Sequence, residues 1–341
     1  MYSFSSKSNL EDANNCSESK TLDYCLSFII EVLERIYPDT KFNFTLVSRL
    51  TWRNAVFCAV SENSLTKLSV KVFLKSYKSK YRFICEKTVG DRLEFNTSSI
   101  RIPKLIHYEE CAGDGIIEGV LIRPWIIGDS FMHRLTKDPV VFLQKDFPLL
   151  VDCFKHLWSV NIESFDKKTQ EMLYLNEYID TGLIMHKLHM SEDEAFKIIF
   201  TLGPELLSKI RKIYDFYKSN IPVNEKNRKL INGDPSAHEF LVNQSGIWWI
   251  DWESTMIHDP MVDVSCMYYS IVHNFYDDPI IADRYKRAFF SGFEITDKER
   301  FVYYFIEKIV LVEIAIAGCN DKKVFEWSIT HAADLLDEIG I

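Results

Sequence analysis

Leu22, Leu26, Ile29, Ile30, Leu33 and Ile36 recur at helical spacing, which predicts an amphipathic helix over 20–36 that stops before Pro38. Three short runs of strand character follow: Phe42–Val47, Ala55–Val60 and Leu68–Leu74. Ser61-Glu62-Asn63-Ser64 separates the last two, as a hairpin turn does. Lys80–Phe95 reads as a helix. Pro103–Tyr108 and Ile116–Ile122 read as strands split by the turn Ala112-Gly113-Asp114-Gly115. After Pro124-Trp125 the period changes. Phe142–Val160, Ser191–Ile199, Pro204–Ser219, Pro279–Phe290, Asp297–Ala317 and Val324–Ile339 all carry helical spacing, with a β-like segment at 231–253 among them. The pattern predicts an α+β chain: a polar tail over 1–19, a small β-rich lobe over 20–125, and a larger helical lobe over 126–341, joined by a connector near 123–129.

Composition changes this picture little. A chain of 341 residues with 47% apolar and 26% charged side chains buries a full core. The first twenty residues lack the apolar stretch of a signal peptide, and Ile309–Ala317, broken by Glu313, is too short to span a bilayer. No two of the eight cysteines lie within four residues of each other. Reduced core thiols in a cytoplasmic protein are expected rather than a zinc site or a disulfide framework. The net charge of −9 argues against nucleic acid as a partner. Its distribution is uneven: 17 basic and 15 acidic residues in the first 125, against 23 and 34 in the remainder. An acidic second lobe attracts cationic ligands, or serves solubility alone.

The stretch INGDPSAHEFLVNQSGIWWIDWE, residues 231–253, concentrates the chemistry. Asp234 sits in a Gly-Asp-Pro turn. Glu239 precedes the apolar Phe240-Leu241-Val242. Asp251 closes a strand-like run that starts at Gly246. A turn followed by a hairpin is expected to bring Glu239 and Asp251 together on one cation. Phosphoryl transfer from ATP needs these parts: a carboxylate to orient the attacking hydroxyl, oxygen ligands for magnesium, and a lysine on the phosphates held by a glutamate.

These blocks resemble the aminoglycoside phosphotransferase and choline kinase family, on the protein-kinase-like fold. The family's catalytic loop, His-Gly-Asp-x-x-x-x-Asn, corresponds to Asn232-Gly233-Asp234 through Glu239. Its Ile-Asp-Trp/Phe-Glu corresponds to Ile250-Asp251-Trp252-Glu253. Its Gly-Asp-Pro-x-x-Asp-Leu corresponds to His258-Asp259-Pro260-Met261-Val262-Asp263-Val264. The resemblance implies Asp234 as the catalytic aspartate, Asp251 as a magnesium ligand and Asp263 as support for the catalytic loop. Asn232 replaces the usual histidine and retains hydrogen-bonding capacity. Glu239 replaces the usual metal-binding asparagine and remains an oxygen donor.

In the first lobe, Leu68-Ser69-Val70-Lys71-Val72 resembles the strand that bears the phosphate-clamping lysine. Lys67 and Lys75 share the Lys71 face and are rivals; the central position favours Lys71. Glu86, in Arg82-Phe83-Ile84-Cys85-Glu86, is the implied partner. The phosphate-covering loop over 48–54 has no glycine, so Arg49 or Arg53 would supply charge there. Leu121–Gly128, with Arg123 and Trp125, resembles the hinge that takes the adenine through backbone hydrogen bonds, and Val70 and Leu241 would sandwich the base.

Other candidates read as ordinary structure. His238 and His258 are taken as loop histidines, because the surrounding ligands suit magnesium. His107, His156, His186, His189 and His331 read as surface or packing residues, Trp248, Trp249 and Trp252 as core, and Glu307 and Glu313 as a solvated helix face. The resemblance covers roughly residues 42–270. It implies an ATP- and Mg2+-dependent small-molecule kinase, cytoplasmic and without membrane or nucleic-acid partners. Its acceptor would be the hydroxyl of an aminoglycoside-like compound, an amino alcohol or a sugar, with a cationic acceptor favoured by the acidic lobe. A pseudokinase that binds nucleotide or a partner without turnover is the rival, motivated by Glu239 and the glycine-free loop. A protein-directed kinase is disfavoured by Ile-Asp-Trp-Glu in place of Asp-Phe-Gly.

Overall fold

Alternation along one strand organises the first part of the chain. The computed structural model describes residues 11–47, 54–63, 65–75, 79–93, 100–111, 115–175, 204–220, 227–310 and 322–341. The chain divides into two compact units, Met1–Gly128 with Gly246–Glu253, and Asp129–Ser245 with Ser254–Ile341. The division falls three residues beyond the expected 125/126 boundary, and the segment bearing Asp251 groups with the first unit.

In that unit, helix α1 (Glu11–Ile36) starts within the stretch expected to be a polar tail. Strands β1 (Phe42–Leu46), β2 (Asn54–Ser61), β3 (Lys67–Leu74), β5 (His107–Glu110) and β6 (Ile117–Pro124) form an antiparallel sheet in the order β1-β2-β3-β6-β5. Helix α2 spans Ser79–Arg92. The period-2 alternation of β3 sends Leu68, Val70, Val72 and Leu74 to one face, where they pack with Cys25, Ile29, Val32 and Leu33 of α1. The other face carries Phe73, which meets Phe83 of α2 edge-on at 5.6 Å. Val70 is fully buried in the α1 cluster, so it is a core residue rather than the base contact expected for it; alternation places it opposite the Lys71 face. Residues 102–106 lie outside the strand, and of the expected 103–108 run only His107 and Tyr108 fall in β5, which extends to Glu110; Pro103 cannot donate to a ladder. Ile100–Arg101, strand β4, pairs in parallel with the strand Gly246–Trp249.

The second unit is mainly helical. Its helices start where polar caps and prolines dictate. Ser130 accepts from the His133 N–H at the head of Phe131–Lys137, Asp278 accepts from Ile281 N–H beside Pro279 at the head of Pro279–Gly292, and Asp297 accepts from Arg300 N–H at the head of Lys298–Phe305. The expected helix over 142–160 begins earlier, at Pro139, passes through a π-helical turn at Phe142–Asp146, and ends at Trp158. Met261–Val272 is a helix that amphipathic spacing does not reveal, because ten of its twelve side chains are buried and it has no polar face. An aromatic core joins these elements: Phe131 stacks on Phe240 at 5.4 Å, Phe147 meets Phe289 at 4.9 Å, and Tyr268 meets Phe301 edge-on at 5.3 Å. The run 191–199 and residues 311–317 of the expected last-but-one helix lie outside the described residues. No described helix is long and apolar enough to cross a membrane. Cys25, Cys58, Cys85, Cys111, Cys153 and Cys266 are free thiols.

Candidate functional site

In the first unit, β3 delivers Lys71 beneath α2, and the returning segment Gly246–Glu253 delivers two carboxylates to it. Lys71 Nζ lies 2.8 Å from Glu86 Oε2, 2.8 Å from Asp251 Oδ1 and 2.8 Å from Glu253 Oε2. Its rivals do not compete for this place. Lys67 is exposed, with its ammonium 5.1 Å from the Trp125 ring, and Lys75 is exposed at the end of the strand. Trp125 is half-buried, and its N–H donates to the Lys67 carbonyl at 3.0 Å. Glu86 is 1% exposed and also meets Arg123, whose guanidinium is therefore engaged within the unit.

The electrostatics follow from three carboxylates around one ammonium. Burial opposes the charge on Lys71, but Asp251, Glu253 and Glu86 outweigh it and hold its pKa well above the ordinary lysine value. Crowding by protein atoms opposes ionisation of Asp251 too. Lys71 and Arg123 overcome that, and the carboxyl lies below its usual range with 47% of its side chain still exposed. Glu253 goes the other way: burial, reinforced by the Asp251 and Glu86 charges, raises it despite Lys71. Asp251 also has φ 64°, a left-handed conformation uncommon for a side-chain-bearing residue. The run Trp249–Trp252 fixes it: both indoles are fully buried, 4.4 Å apart, and the Trp252 Nε1–H donates to the Trp249 carbonyl.

Glu253 is a site residue that the motif contained but its spacing did not single out. Its Oε2 accepts from Asn54 Nδ2 at 2.5 Å as well as from Lys71, so it ties the start of β2 to the lysine. The i, i+2 spacing of Asp251 and Glu253 in one segment is the signal that was available. Carboxylate oxygens of Glu86, Asp251 and Glu253 lie within 4.8 Å of one another. An all-oxygen, anionic donor set of this kind suits a hard divalent cation, and magnesium fits it. Residues 48–53, with Arg49 and Arg53, lie outside the described residues.

The second unit holds Asp234. Gly233 takes φ +88°, and a Cβ there would lie 2.3 Å from the Ser254 carbonyl oxygen, so only glycine fits this turn. Asp263, fully buried at the start of Met261–Val272, accepts from Gly233 N–H at 2.8 Å, Asn232 N–H at 3.1 Å and Trp158 Nε1–H at 3.3 Å. Burial pushes its carboxyl up to about 7, against the pull of these donors. Asn232 Oδ1 accepts from the Asp234 N–H at 3.2 Å, closing the turn over the half-buried Asp234. Ser270 Oγ accepts from Ala237 N–H, and Phe240 is fully buried against Phe131 and Phe154, which fixes the exit of the loop after Glu239. Glu239 and Leu241 are half-buried in this segment. The structure thus brings Lys71, Glu86, Asp251 and Glu253 together in one unit, and Asn232, Asp234 and Asp263 in the other.

Glu307 departs from expectation. It is 9% exposed rather than on a solvated face, with Tyr217 Oη–H donating to it at 3.1 Å and Lys308 Nζ at 3.2 Å. A π-helical turn at Ile306–Val310 buries all five consecutive residues, which an α-helical period does not anticipate. His258 lies on the strand Met256–His258 rather than in a loop, and burial lowers its pKa to about 4.

No protein-family model matches the chain. No curated protein matches it either. Solved structures do. A thermostable variant of aminoglycoside phosphotransferase APH(4)-Ia, in ternary complex with ADP and hygromycin B, superposes with a TM-score of 0.58 at 10% identity, over 91% of this chain and 98% of that one. Spectinomycin phosphotransferase APH(9)-Ia, in complex with ADP and spectinomycin, gives 0.53 at 15% identity, over 92% and 94%. Plasmodium vivax ethanolamine kinase gives 0.51 at 13% identity, over 86% and 82%. At these identities the likeness is one of architecture, and the chain has the protein-kinase-like fold in the form taken by aminoglycoside phosphotransferases and ethanolamine kinase.

Proposed function

We propose that this protein is an ATP-dependent phosphotransferase that moves the γ-phosphate to a hydroxyl group of a small molecule. The observation that carries this reading is Lys71, a buried lysine held 2.8 Å from Glu86 on one side and 2.8 Å from Asp251 on the other. A lysine fixed by a helix glutamate and set beside a magnesium-type carboxylate is what binding of a triphosphate requires.

In this reading Lys71 engages the nucleotide phosphates and Glu86 keeps its side chain extended toward them. Asp251 holds the divalent ion, with Glu253 and Glu239 as further oxygen donors. Bound magnesium would neutralise phosphate charge and act as a Lewis acid on the transferred group. Asp234 accepts a hydrogen bond from the acceptor hydroxyl, orients its oxygen toward the γ-phosphorus, and takes its proton as the P–O bond forms. The ADP oxygen leaves with the electrons of the broken bond. Asp263 keeps Asp234 in place through the two backbone N–H groups it accepts from. Trp125 and Leu241 are the apolar contacts assigned to the adenine. An amino alcohol or aminoglycoside-like compound is the favoured acceptor class, because the second lobe carries the chain's acidic excess.

The test is phosphate transfer from Mg·ATP across a panel of aminoglycosides, amino alcohols and sugars, run on wild type and Asp234→Ala. Transfer that depends on Asp234 supports the reading; equal background rates in both sink it. A second reading, nucleotide binding without turnover, is favoured by Glu239 at the position where the family has asparagine. It predicts Mg·ADP binding by calorimetry with no transfer to any acceptor.

A further inference from the structure

Glu86 has two carboxylate oxygens, and each has its own cation. Lys71 Nζ donates to Oε2 at 2.8 Å, and Arg123 Nη1 donates to Oε1 at 2.5 Å. Arg123 Nη2 also donates to the backbone carbonyl of Glu86 at 2.9 Å. The arginine therefore grips the helix itself as well as the side chain, a two-point contact that a lysine cannot make.

The sheet register explains its aim. Ser69 lies opposite Arg123 and Lys71 opposite Leu121 in the β3–β6 pairing, so Lys71 and Arg123 share the sheet face that α2 covers. Room for the guanidinium comes from Gly90, one helical turn after Glu86 on the same side of α2. A Cβ at Gly90 would lie 3.1 Å from Arg123 Nη2 and 2.9 Å from Leu105 Cγ. Arg123 is 7% exposed, and its Nε is buried with no hydrogen-bond partner among the described residues. Packing alone gives no reason for a charged group here, since an apolar side chain would fill the space without desolvating a cation.

We infer that Arg123 is a positioning residue that anchors α2 and occupies one oxygen of Glu86, so that Lys71 is presented to a nucleotide in a fixed place before any nucleotide binds. A lysine–glutamate pair alone gives the helix a single side-chain tether. Arg123 adds a second, through the backbone, and offsets one of the three negative charges that would otherwise all act on Lys71. The inference rests on the phosphotransferase reading for its kinetic consequence, and on the contacts alone for its structural one.

Steady-state kinetics on wild type, Arg123→Gln and Arg123→Lys, with ATP and acceptor varied separately, test the first. Arg123→Gln is expected to raise the KM for ATP about tenfold and leave the acceptor KM within about twofold. Arg123→Lys recovers only part of the loss, since it restores a cation at Oε1 but not the bond to the Glu86 carbonyl. A mere folding defect would lower the active fraction and move neither KM. An unchanged ATP KM in Arg123→Gln overturns the proposal. Hydrogen exchange over residues 83–92 of the nucleotide-free chain tests the second. Exchange there is expected to quicken at least about fivefold in Arg123→Gln, with the rest of the first unit at wild-type rates, and to stay quickened in Arg123→Lys, which cannot hold the Glu86 carbonyl and Oε1 together. Equal rates in all three proteins overturn it. If wild type transfers no phosphate, the kinase reading fails, and the exchange arm alone decides whether Arg123 holds α2.

Discussion

Lys71 and Asp251 meet at 2.8 Å although Asp251 stands in a left-handed backbone conformation, φ 64°. Such a conformation costs of order 1 kcal/mol for a residue with a Cβ and persists only where surrounding contacts enforce it. Here the buried Trp249–Trp252 pair and the lysine do so. The same lysine reaches both Asp251 Oδ1 and Glu253 Oε2 at 2.8 Å. Removing it as Lys71→Met should destabilise the chain by roughly 3 kcal/mol, because the buried Glu253 is left facing Asp251 and Glu86 unneutralised. Adding Glu253→Gln should return about half of that, since one of the repelling charges is gone. Phosphate transfer should fall at least about a hundredfold in Lys71→Met and stay down in the double variant. Urea unfolding alongside kinetics checks both; recovery of activity with stability would mean that Lys71 acts only as a structural counter-ion.

Asp263 accepts three N–H donors with two oxygens. Asparagine at this position can present only one oxygen, so its amide must point N–H groups at one of the backbone donors. Asp263→Asn should lower stability by about 2 kcal/mol. It should also loosen the Asn232–Asp234 turn and lower kcat more than it changes the KM for ATP. A variant with wild-type kcat would show that the turn holds its shape without this anchor.

Particular residues show how far the sequence carries. Lys71 was separable from Lys67 and Lys75 by its central place in an alternating run, and the structure leaves both rivals exposed. Asn232, Asp234 and Asp263 were readable because a turn, a loop and a helix start each demand specific residue types. Glu253 was less visible, because its partners, Asn54 and Lys71, lie 199 and 182 positions away and spacing says nothing about such contacts. Val70 went to the core because the alternation that identifies Lys71 also points Val70 away from it. Glu307 was misplaced because a π-helical turn breaks the 3.6-residue period on which a solvated face is judged. Met261–Val272 escaped for the opposite reason: burial on nearly all sides leaves no period to detect.

Gly233 makes a sharper test of the turn. Its φ of +88° is strained for any L side chain, and its Cβ position is filled by the Ser254 carbonyl, a backbone atom that cannot rotate aside. Gly233→Ala should destabilise by roughly 3 kcal/mol, combining conformational strain with the displaced strand after Ser254. A change below about 1 kcal/mol in chemical unfolding would mean that the turn adopts another conformation in solution.

Two half-buried histidines of the second unit set an acid limit on stability. Burial lowers His331 to about 4, helped by the nearby Lys286 charge, and lowers His258 to about 4, helped by Lys308. Both start from an ordinary value of 6.5. Between pH 6.5 and about 4 the unfolded chain binds these protons and the folded chain does not. The stability is therefore fully present above 6.5 and is lost as pH falls toward 4, at up to about 1.4 kcal/mol per pH unit for each group. His331 is the cleaner probe. Its Nε2 meets the Tyr268 hydroxyl at 2.7 Å, and its ring stacks on Trp327 at 4.8 Å. A neutral imidazole accepts from the tyrosine O–H there, whereas an imidazolium has no lone pair to offer. His331→Gln keeps an acceptor and removes the titration. Unfolding free energies measured from pH 7 to 4 should fall less steeply in His331→Gln than in wild type. Parallel curves would mean that His331 is already protonated, or open to water, in the folded chain.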